Sequence, residues 1–181
     1  DFNADWKSIF FLNIRARNDW SSTLPVDNRS FFYPSFSGGV VLTDLLNEIG
    51  VTNGESSLIP YAKLRASWTR VGKDAPPHVL GNTYFNTTNS FTAAPRGFIA
   101  NVYAFGAPAL RPEFTNAFEA GVDMRMFRGK IGIDFTYYTM SSDDQILFTR
   151  VPPSASSFIS YLNGGRIDNE GVELMINATP I

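Results

Sequence analysis

The stretch "FEAGVDMRMFRGKIGIDFTYYTM", from Phe118 to Met140, alternates apolar and polar side chains through two consecutive segments. Apolar residues occupy the even positions from Phe118 to Met126 and then the odd positions from Ile131 to Tyr137. A β-strand places successive side chains on opposite faces, so this period of two is typical of strands. The stretch therefore predicts a hairpin that turns at Arg128–Gly129 and has one apolar and one polar face.

The same period of two recurs along the chain, which predicts an all-β fold. Because no helical pattern is long enough to form a crossover, we expect an antiparallel meander of about six strands without parallel pairs. A short helical pattern from Thr43 to Gly50, with Thr43 as its cap, is a connector. The four predicted strands outside the hairpin are Trp6–Arg17, Phe31–Leu42, Tyr61–Gly72 and Gly171–Ile181, the last with a possible earlier start near Tyr161.

The connections differ greatly in length, and this difference bears on the kind of sheet. The hairpin turn is minimal, whereas the connection from Val71 to Pro112 has about forty residues, which is uncommon inside a compact domain. Transmembrane barrels have short turns at one end and long loops at the other. Phe118–Phe127 also matches the length of about 9–11 residues that crosses a bilayer. The pattern favours a transmembrane β-barrel; the alternative is a soluble β-sandwich that buries the apolar face and binds glycans.

The composition excludes several classes of protein. The net charge of −2 and the isoelectric point near 5.4 give no basic surface for nucleic acid. The absence of cysteine excludes disulfides and thiolate metal sites. No apolar run reaches about 18 residues, so no transmembrane helix is expected, and no signal-peptide pattern is expected within the chain. The 16 Phe, 7 Tyr and 3 Trp instead suit a β-protein with a large wetted surface.

Candidate catalytic groups are few, and no enzyme activity, cofactor or metal site is predicted. Asp143 and Asp144 are adjacent, so on a strand their carboxylates point to opposite faces and do not converge on a cation. His78 has no neighbouring nucleophile in the sequence. We expect all three side chains to be solvated in loops.

Two groups of residues are candidates for contact with a substrate. Adjacent strands bring charged side chains of the polar face together, where they either line a substrate path or form a cross-strand charge network. Aromatic side chains in the longest connection either stack on a ligand or pack the loop on itself. The polar-face candidates are Glu119, Asp123, Arg125 and Asp134, and the loop candidates are Tyr84, Phe85 and Tyr103.

Five stretches, in this order, resemble barrel segments of the SusC/RagA-type TonB-dependent outer-membrane transporters. The resemblance covers nearly the whole chain and is weakest from Gly81 to Asn101. The stretches are "RNDWSSTLPVDNRSFFYPSFSGGVVLTDL" (Arg17–Leu45), "AKLRASWTRVGKD" (Ala62–Asp74), "LRPEFTNAFEAGVDMRMF" (Leu110–Phe127), "IGIDFTYYTMSSDDQIL" (Ile131–Leu147) and "YLNGGRIDNEGVELMINATPI" (Tyr161–Ile181).

The resemblance implies an outer-membrane barrel of about 22 strands that imports oligosaccharides or peptides. Residues 1–181 would then be an internal segment of the barrel domain, with the plug domain and the remaining strands absent. The resemblance also implies a SusD-like surface lipoprotein as a partner, and the TonB complex as a second partner that acts through the plug.

The resemblance also assigns an environment to each face of the hairpin. Lipid would face Phe118, Val122, Met124, Ile131, Ile133 and Phe135, and the lumen would face Glu119, Asp123, Arg125, Lys130 and Asp134. On this basis an arginine at Val122 or Ile133 is expected to cost about 2–4 kcal/mol near the bilayer midplane. An arginine at Gly121 or Thr136 is expected to be tolerated better, unless it collides with the plug.

Overall fold

The computed structural model describes residues 1–51, 58–87, 98–152, 154 and 157–179, with the backbone alone for 84–87 and 98–103. These residues form strands and one α-helix. In chain order the elements are β1 (Phe2–Trp6), β2 (Phe10–Trp20), β3 (Ser30–Val41), α1 (Leu42–Glu48), β4 (Tyr61–Lys73), β5 (Thr83–Thr87), β6 (Phe98–Phe105), β7 (Glu113–Met126), β8 (Ile131–Asp143), β9 (Ile146–Arg150), β10 (Ser157–Asn163) and β11 (Arg166–Ala178).

The main sheet has seven strands in the order β1-β2-β3-β4-β7-β8-β11. Each neighbouring pair is antiparallel. The strands of this sheet therefore follow one another in chain order, as the sequence predicts. The sheet is open, because β1 and β11 each have one unpaired edge among the residues described.

The β7–β8 hairpin has a longer turn than the predicted Arg128–Gly129. Met126 pairs with Ile131, so four residues, Phe127 to Lys130, make the connection. The Gly129 N–H donates to the Met126 carbonyl at 3.0 Å. Phe127 and Arg128 have φ values of 53° and 58°, and Gly129 follows at 84°, a region in which glycine carries no steric penalty. Lys130 therefore lies in the turn, so the prediction that it belongs to a strand was wrong, but it lines the same cavity as the polar-face residues Asp123, Arg125 and Asp134.

The first predicted strand, Trp6–Arg17, is two strands. Lys7 and Ser8 adopt φ values of 52° and 57°, and the Ile9 N–H donates back to the Trp6 carbonyl at 2.9 Å. This tight turn reverses the chain, which brings the main sheet to seven strands. No glycine or proline marks the turn, so the period of two appeared continuous through it.

The connection between β3 and β4 contains the predicted helix, but with a different start. Val41 occupies the N-cap position without a side-chain hydrogen bond, and Thr43 lies within the helix. The predicted cap at Thr43 was therefore wrong. Within the residues described, no helix is both long and apolar enough to cross a membrane.

The longer connections contain a second sheet that the sequence did not predict. It has four strands in the order β5-β6-β10-β9, and β6 and β10 are parallel. The expectation of antiparallel pairing throughout was wrong at this point. Asn, Thr and Ser interrupt the apolar residues of these strands, so the sequence shows no sustained alternation of apolar and polar residues there. They form because separate connections from the main sheet meet at one end.

The long connections lie together at one end of the main sheet. They are the described residues of 21–29, 74–112 and 144–165. The turns 7–9 and 127–130 lie at the other end, with the described part of the connection that contains α1. This arrangement follows from antiparallel order, because alternate connections fall at the same end. The predicted contrast between short turns and long loops holds in part, because the connection that contains α1, residues 42–60, lies at the short-turn end and is longer than residues 21–29.

Most large apolar side chains of the main sheet remain exposed, and the buried core is small. On the apolar face, Phe118 is 41%, Phe135 40% and Val172 66% exposed. The buried cluster lies at the long-connection end and consists of Leu24, Phe31, Ala75, Val79 and Leu110. A β-sandwich would cover the apolar face with a second sheet. Since this face is uncovered, the chain does not have the architecture of the predicted alternative.

Gly72 provides a test of the packing at this end. A Cβ on Gly72 would lie 2.5 Å from Phe31 Cδ2, and the Phe31 ring is held by Tyr33 and Phe114, at centroid distances of 6.1 and 6.4 Å. Gly72→Ala is therefore expected to lower the free energy of unfolding by about 1–3 kcal/mol. Denaturant unfolding of the full-length protein measures this.

Gly132→Ala is the matched control. Gly132 is also a strand glycine, but a Cβ there would meet only Asn177 Cβ, at 3.8 Å. The control is expected to unfold like the parent. Equal effects of the two substitutions would show that Phe31 is free to move.

Candidate functional site

The antiparallel register gathers the polar side chains on one face of the main sheet. Directly opposed residues of antiparallel strands share a face. A row of directly opposed residues, one from each of the seven strands, therefore lies on one side of the sheet. From β1 to β11 this row is Asp5, Phe11, Gly39, Arg65, Gly121, Thr136 and Glu173.

This polar face carries a cavity of about 520 Å³. Small residues, Gly39 and Ser67 among them, form part of its lining, and Asn13, Lys63 and Glu119 supply polar groups. The lining comes from β1, β2, β3, β4 and β7, so the cavity extends from the β1 edge of the sheet to β7. The polar side of the sheet therefore has a concave surface with charged walls.

Arg65 is the centre of the hydrogen-bond network on this face. Its Nη1 donates to Asp134 Oδ2 at 3.0 Å, and its Nη2 donates to Asp134 Oδ1 at 2.8 Å and to Thr136 Oγ1 at 2.5 Å. Such a two-pronged pair has the geometry that arginine and carboxylate favour. Arg65 belongs to β4 and Asp134 to β8, so the side chain reaches across β7, which lies between them.

Gly121 of β7 makes this reach possible. A Cβ at Gly121 would lie 2.7 Å from Arg65 Nε and 3.0 Å from the Phe135 carbonyl oxygen. The missing side chain leaves the space through which the guanidinium passes. The sequence predicted that Gly121 and Thr136 tolerate arginine; the structure argues against this at both, since Arg65 lies over Gly121 and bonds to Thr136.

Two further contacts on the polar face join a cation to an aromatic ring, and a third joins two amide side chains. Lys63 Nζ lies 4.8 Å from the centre of the Phe11 ring, and Arg125 Cζ lies 5.3 Å from that of Tyr61. Both distances are within the range of cation–π attraction. The Asn13 amide donates to the Asn3 side chain across β1 and β2.

The four polar-face candidates lie on one side of the sheet but differ in their contacts. Asp134 is paired with Arg65, and Arg125 covers Tyr61. The carboxylates of Glu119 and Asp123 make neither a hydrogen bond nor an ion pair with any residue that the structure describes. Asp123, Arg125 and Asp134 also line a second cavity, of about 360 Å³. Of these four candidates, Glu119 and Asp123 therefore have carboxylates available for a ligand or another segment.

The sequence did not single out Arg65, Lys63 or Phe11. Arg65 and Lys63 stand on the polar side of the alternating stretch in β4, so their face was predictable. Their partners were not, because the reach of Arg65 across β7 depends on the register of three strands. Phe11 alternates in the sequence with the apolar Phe10 and Leu12, and only the structure shows its ring beside Lys63.

The remaining candidates do not form a catalytic or metal site. Asp144 accepts a hydrogen bond from Arg111 at 2.7 Å, and Asp143 lies 3.7 Å from Arg166 Nε. His78 is exposed. In the part of the chain that the structure describes, no group of three or more His, Asp or Glu side chains is arranged to hold a metal ion.

The aromatic loop candidates belong to the second sheet. Tyr84 and Phe85 lie in β5, where they pair with Val102 and Ala100, and Tyr103 lies in β6. Their side chains lie outside the described part of the structure. Their role stays a prediction.

Comparison with known proteins gives the same architecture. The model of the family "TonB dependent receptor-like, beta-barrel" matches residues 2–179. The chain is 27% identical over 186 residues to TonB-dependent receptor P26 of Formosa agariphila, and 27% identical over 188 residues to TonB-dependent receptor SusC of Bacteroides thetaiotaomicron. These alignments cover 99% and 95% of the chain, but only 18% and 17% of the two relatives.

Solved structures with a similar fold include the RagAB peptide importer in its closed-closed state, with a TM-score of 0.81 at 22% identity. That match covers 99% of this chain and 19% of the other. The siderophore receptor PirA of Pseudomonas aeruginosa matches with a TM-score of 0.60 at 18% identity, over 95% of this chain and 29% of that one.

The uncovered apolar face, the concave polar face and the meander together define a piece of the wall of a β-barrel. The chain belongs to the TonB-dependent receptor-like β-barrel family. It spans less than a fifth of the length of the curated relatives named above. The fold class predicted from the sequence is confirmed, with the barrel not closed by these strands.

The space above Gly121 can be tested with a double-mutant cycle. Gly121→Ala is expected to lower the free energy of unfolding by about 1–3 kcal/mol, because the new methyl group overlaps Arg65 and the Phe135 carbonyl. In an Arg65→Ser background part of this cost should disappear, since one of the two overlaps is gone. Denaturant unfolding of the four full-length proteins gives the coupling. Strictly additive effects would mean that Arg65 does not need the space above Gly121.

Proposed function

We propose that this chain is a wall segment of an outer-membrane, TonB-dependent transporter of the SusC type. The proposal assigns residues 1–181 to the barrel domain of a longer protein that also has a plug domain and further strands. The whole transporter imports oligosaccharides or peptides. It works with a SusD-like surface lipoprotein and takes energy from the TonB complex through its plug.

The observation that carries the proposal is the contrast between the two faces of the main sheet. One face exposes Phe118, Phe135 and Val172, and the other holds the Arg65 network and further charged side chains of β4 and β7. Lipid is an environment in which an apolar face of this size is stable without a second layer of protein. The concave polar face then borders the lumen. In lipid every backbone group must be paired, so β1 and β11 must each pair with a further strand.

The partner and the substrate class rest on resemblance. The sequence is similar to a receptor named SusC, and the fold is similar to a peptide importer named RagAB. The name of the peptide importer supports peptides as a substrate class, and oligosaccharides rest on the resemblance of the sequence to SusC/RagA-type transporters. A SusD-like lipoprotein follows from the likeness to the SusC type.

Glu119 and Asp123 are the polar-face candidates that we assign to contact with the plug or the substrate. Their carboxylates make no side-chain bonds within the described residues, so they are free to contact the plug or a substrate. Asp134 and Arg125 already have partners and serve as supports of the wall. Tyr84, Phe85 and Tyr103 are assigned to the mouth, because β5 and β6 belong to the long-connection end.

Deletion of residues 82–105 tests the role of the second sheet. A Cβ on Gly106 would lie 2.6 Å from the Gly81 carbonyl carbon, so the two glycines are adjacent and residues 82–105 can be removed without a gap. The barrel strands lie outside the deletion, and we expect normal insertion. Co-purification of the lipoprotein, or growth on the imported nutrient, is expected to fall because the deletion removes all three aromatic candidates.

Two controls define the outcome. Alanine at Tyr84, Phe85 and Tyr103 together separates the aromatic contacts from the bulk of the loop. Growth on peptides and on oligosaccharides, each as the sole nutrient, distinguishes the substrate classes. Unchanged co-purification and growth, with the shortened barrel present at parental levels, would remove the second sheet from the proposal. Growth unaffected by loss of the whole gene would refute import of these nutrients.

A further inference from the structure

The long connections of the main sheet share one buried apolar cluster. Leu24 comes from residues 21–29, and Ala75, Val79 and Leu110 come from 74–112. Leu24 is 0% and Leu110 2% exposed. Ile146 and Tyr161, from 144–165, pack against the same cluster. No single connection could bury these side chains alone, so their packing requires all three.

The Asn163 side chain joins two of these connections. Like a neighbouring β-strand, it forms hydrogen bonds with both the N–H and the carbonyl of one residue, Arg111. Its Oδ1 accepts from the Arg111 N–H at 2.8 Å, and its Nδ2 donates to the Arg111 carbonyl at 2.8 Å. The same Nδ2 donates to the Asp144 carbonyl at 2.8 Å, and the Arg111 guanidinium donates to the Asp144 carboxylate at 2.7 Å. The amide thus has a partner for its oxygen and two for its nitrogen.

Further hydrogen bonds join residues 21–29 to 74–112. Asn28 Nδ2 donates to the Leu110 carbonyl at 2.9 Å. Ser21 Oγ donates to Asp74 Oδ2 at 2.6 Å, and Thr23 Oγ1 donates to the same oxygen at 3.3 Å. The parallel pairing of β6 with β10 adds a backbone link between 74–112 and 144–165. Each neighbouring pair of connections is therefore linked by both packing and hydrogen bonds.

From these contacts we propose that the three long connections fold and unfold as one cooperative unit, the loop rim, defined as the described residues of 21–29, 74–112 and 144–165. Opening any one of them exposes the shared apolar cluster and leaves backbone groups such as those of Arg111 unpaired. A ligand or partner that binds one connection therefore stabilises all three. This property does not depend on the substrate of the transporter.

Hydrogen exchange of the full-length protein in lipid, at increasing denaturant, tests the proposal without any substitution. The hydrogen-bonded backbone amides of the three connections are expected to share one opening free energy and to reach it along the same denaturant dependence. They are those of Ser21 and Asn28, of Ala107 and Arg111, and of Ile146 and Val151. Three different opening free energies, each with its own dependence, would overturn the proposal.

Asn163→Ala provides a second, independent test. The substitution removes three hydrogen bonds of 144–165, and we expect exchange at least about tenfold faster in all three connections. Thr149→Ala is the matched control, because Thr149 is exposed in β9 and its hydroxyl makes only a long bond, 3.5 Å, to the Arg150 carbonyl. Faster exchange confined to 144–165 in Asn163→Ala would overturn the proposal. If this variant does not insert, the measurement on the parent protein decides.

Discussion

The backbone register across seven antiparallel strands is the constraint on which the rest of the structure depends. Because side chains alternate with a period of two, a slip of one residue would move every polar side chain of a strand to the apolar face. The observed register sets Arg65 opposite Gly121 and Gly121 opposite Thr136, which lets one guanidinium join β4 to β8. The cavity and the uncovered apolar face follow from the same alignment.

The long-connection end and the middle of the sheet are stabilised in different ways. The buried cluster around Leu24 and Leu110 stabilises the long-connection end, where three segments pack together. The middle of the sheet has no such core, since its large apolar side chains are exposed and its polar face is held by ion pairs and hydrogen bonds. An exposed ion pair in water contributes little stability. The middle of the sheet therefore depends on its backbone hydrogen bonds and, under the proposed function, on lipid at the apolar face.

The sequence predicted the meander, the hairpin from Phe118 to Met140 and the sides on which its charged residues lie, because these follow from local alternation. It did not predict the turn at Lys7–Ile9, where residues without a turn signature take positive φ. Nor did it predict the second sheet, whose strands pair only after separate connections meet. The sequence also did not predict the Arg65 network, because Asp134 and Thr136 become partners of Arg65 only through the alignment of the neighbouring strands. Contacts distant in sequence thus account for what local patterns missed.

The most direct test of the account is the environment of successive residues along β7. The chain has no cysteine, so single spin labels can be placed at positions 117 to 123 of the full-length barrel in a bilayer once other cysteines are removed. Labels at Phe118, Ala120 and Val122 should be accessible to oxygen, which concentrates in lipid, and protected from a polar nickel chelate. Labels at Ala117, Glu119 and Asp123 should show low oxygen accessibility. The opposite phase, or no alternation, would contradict the assignment of the apolar face to lipid.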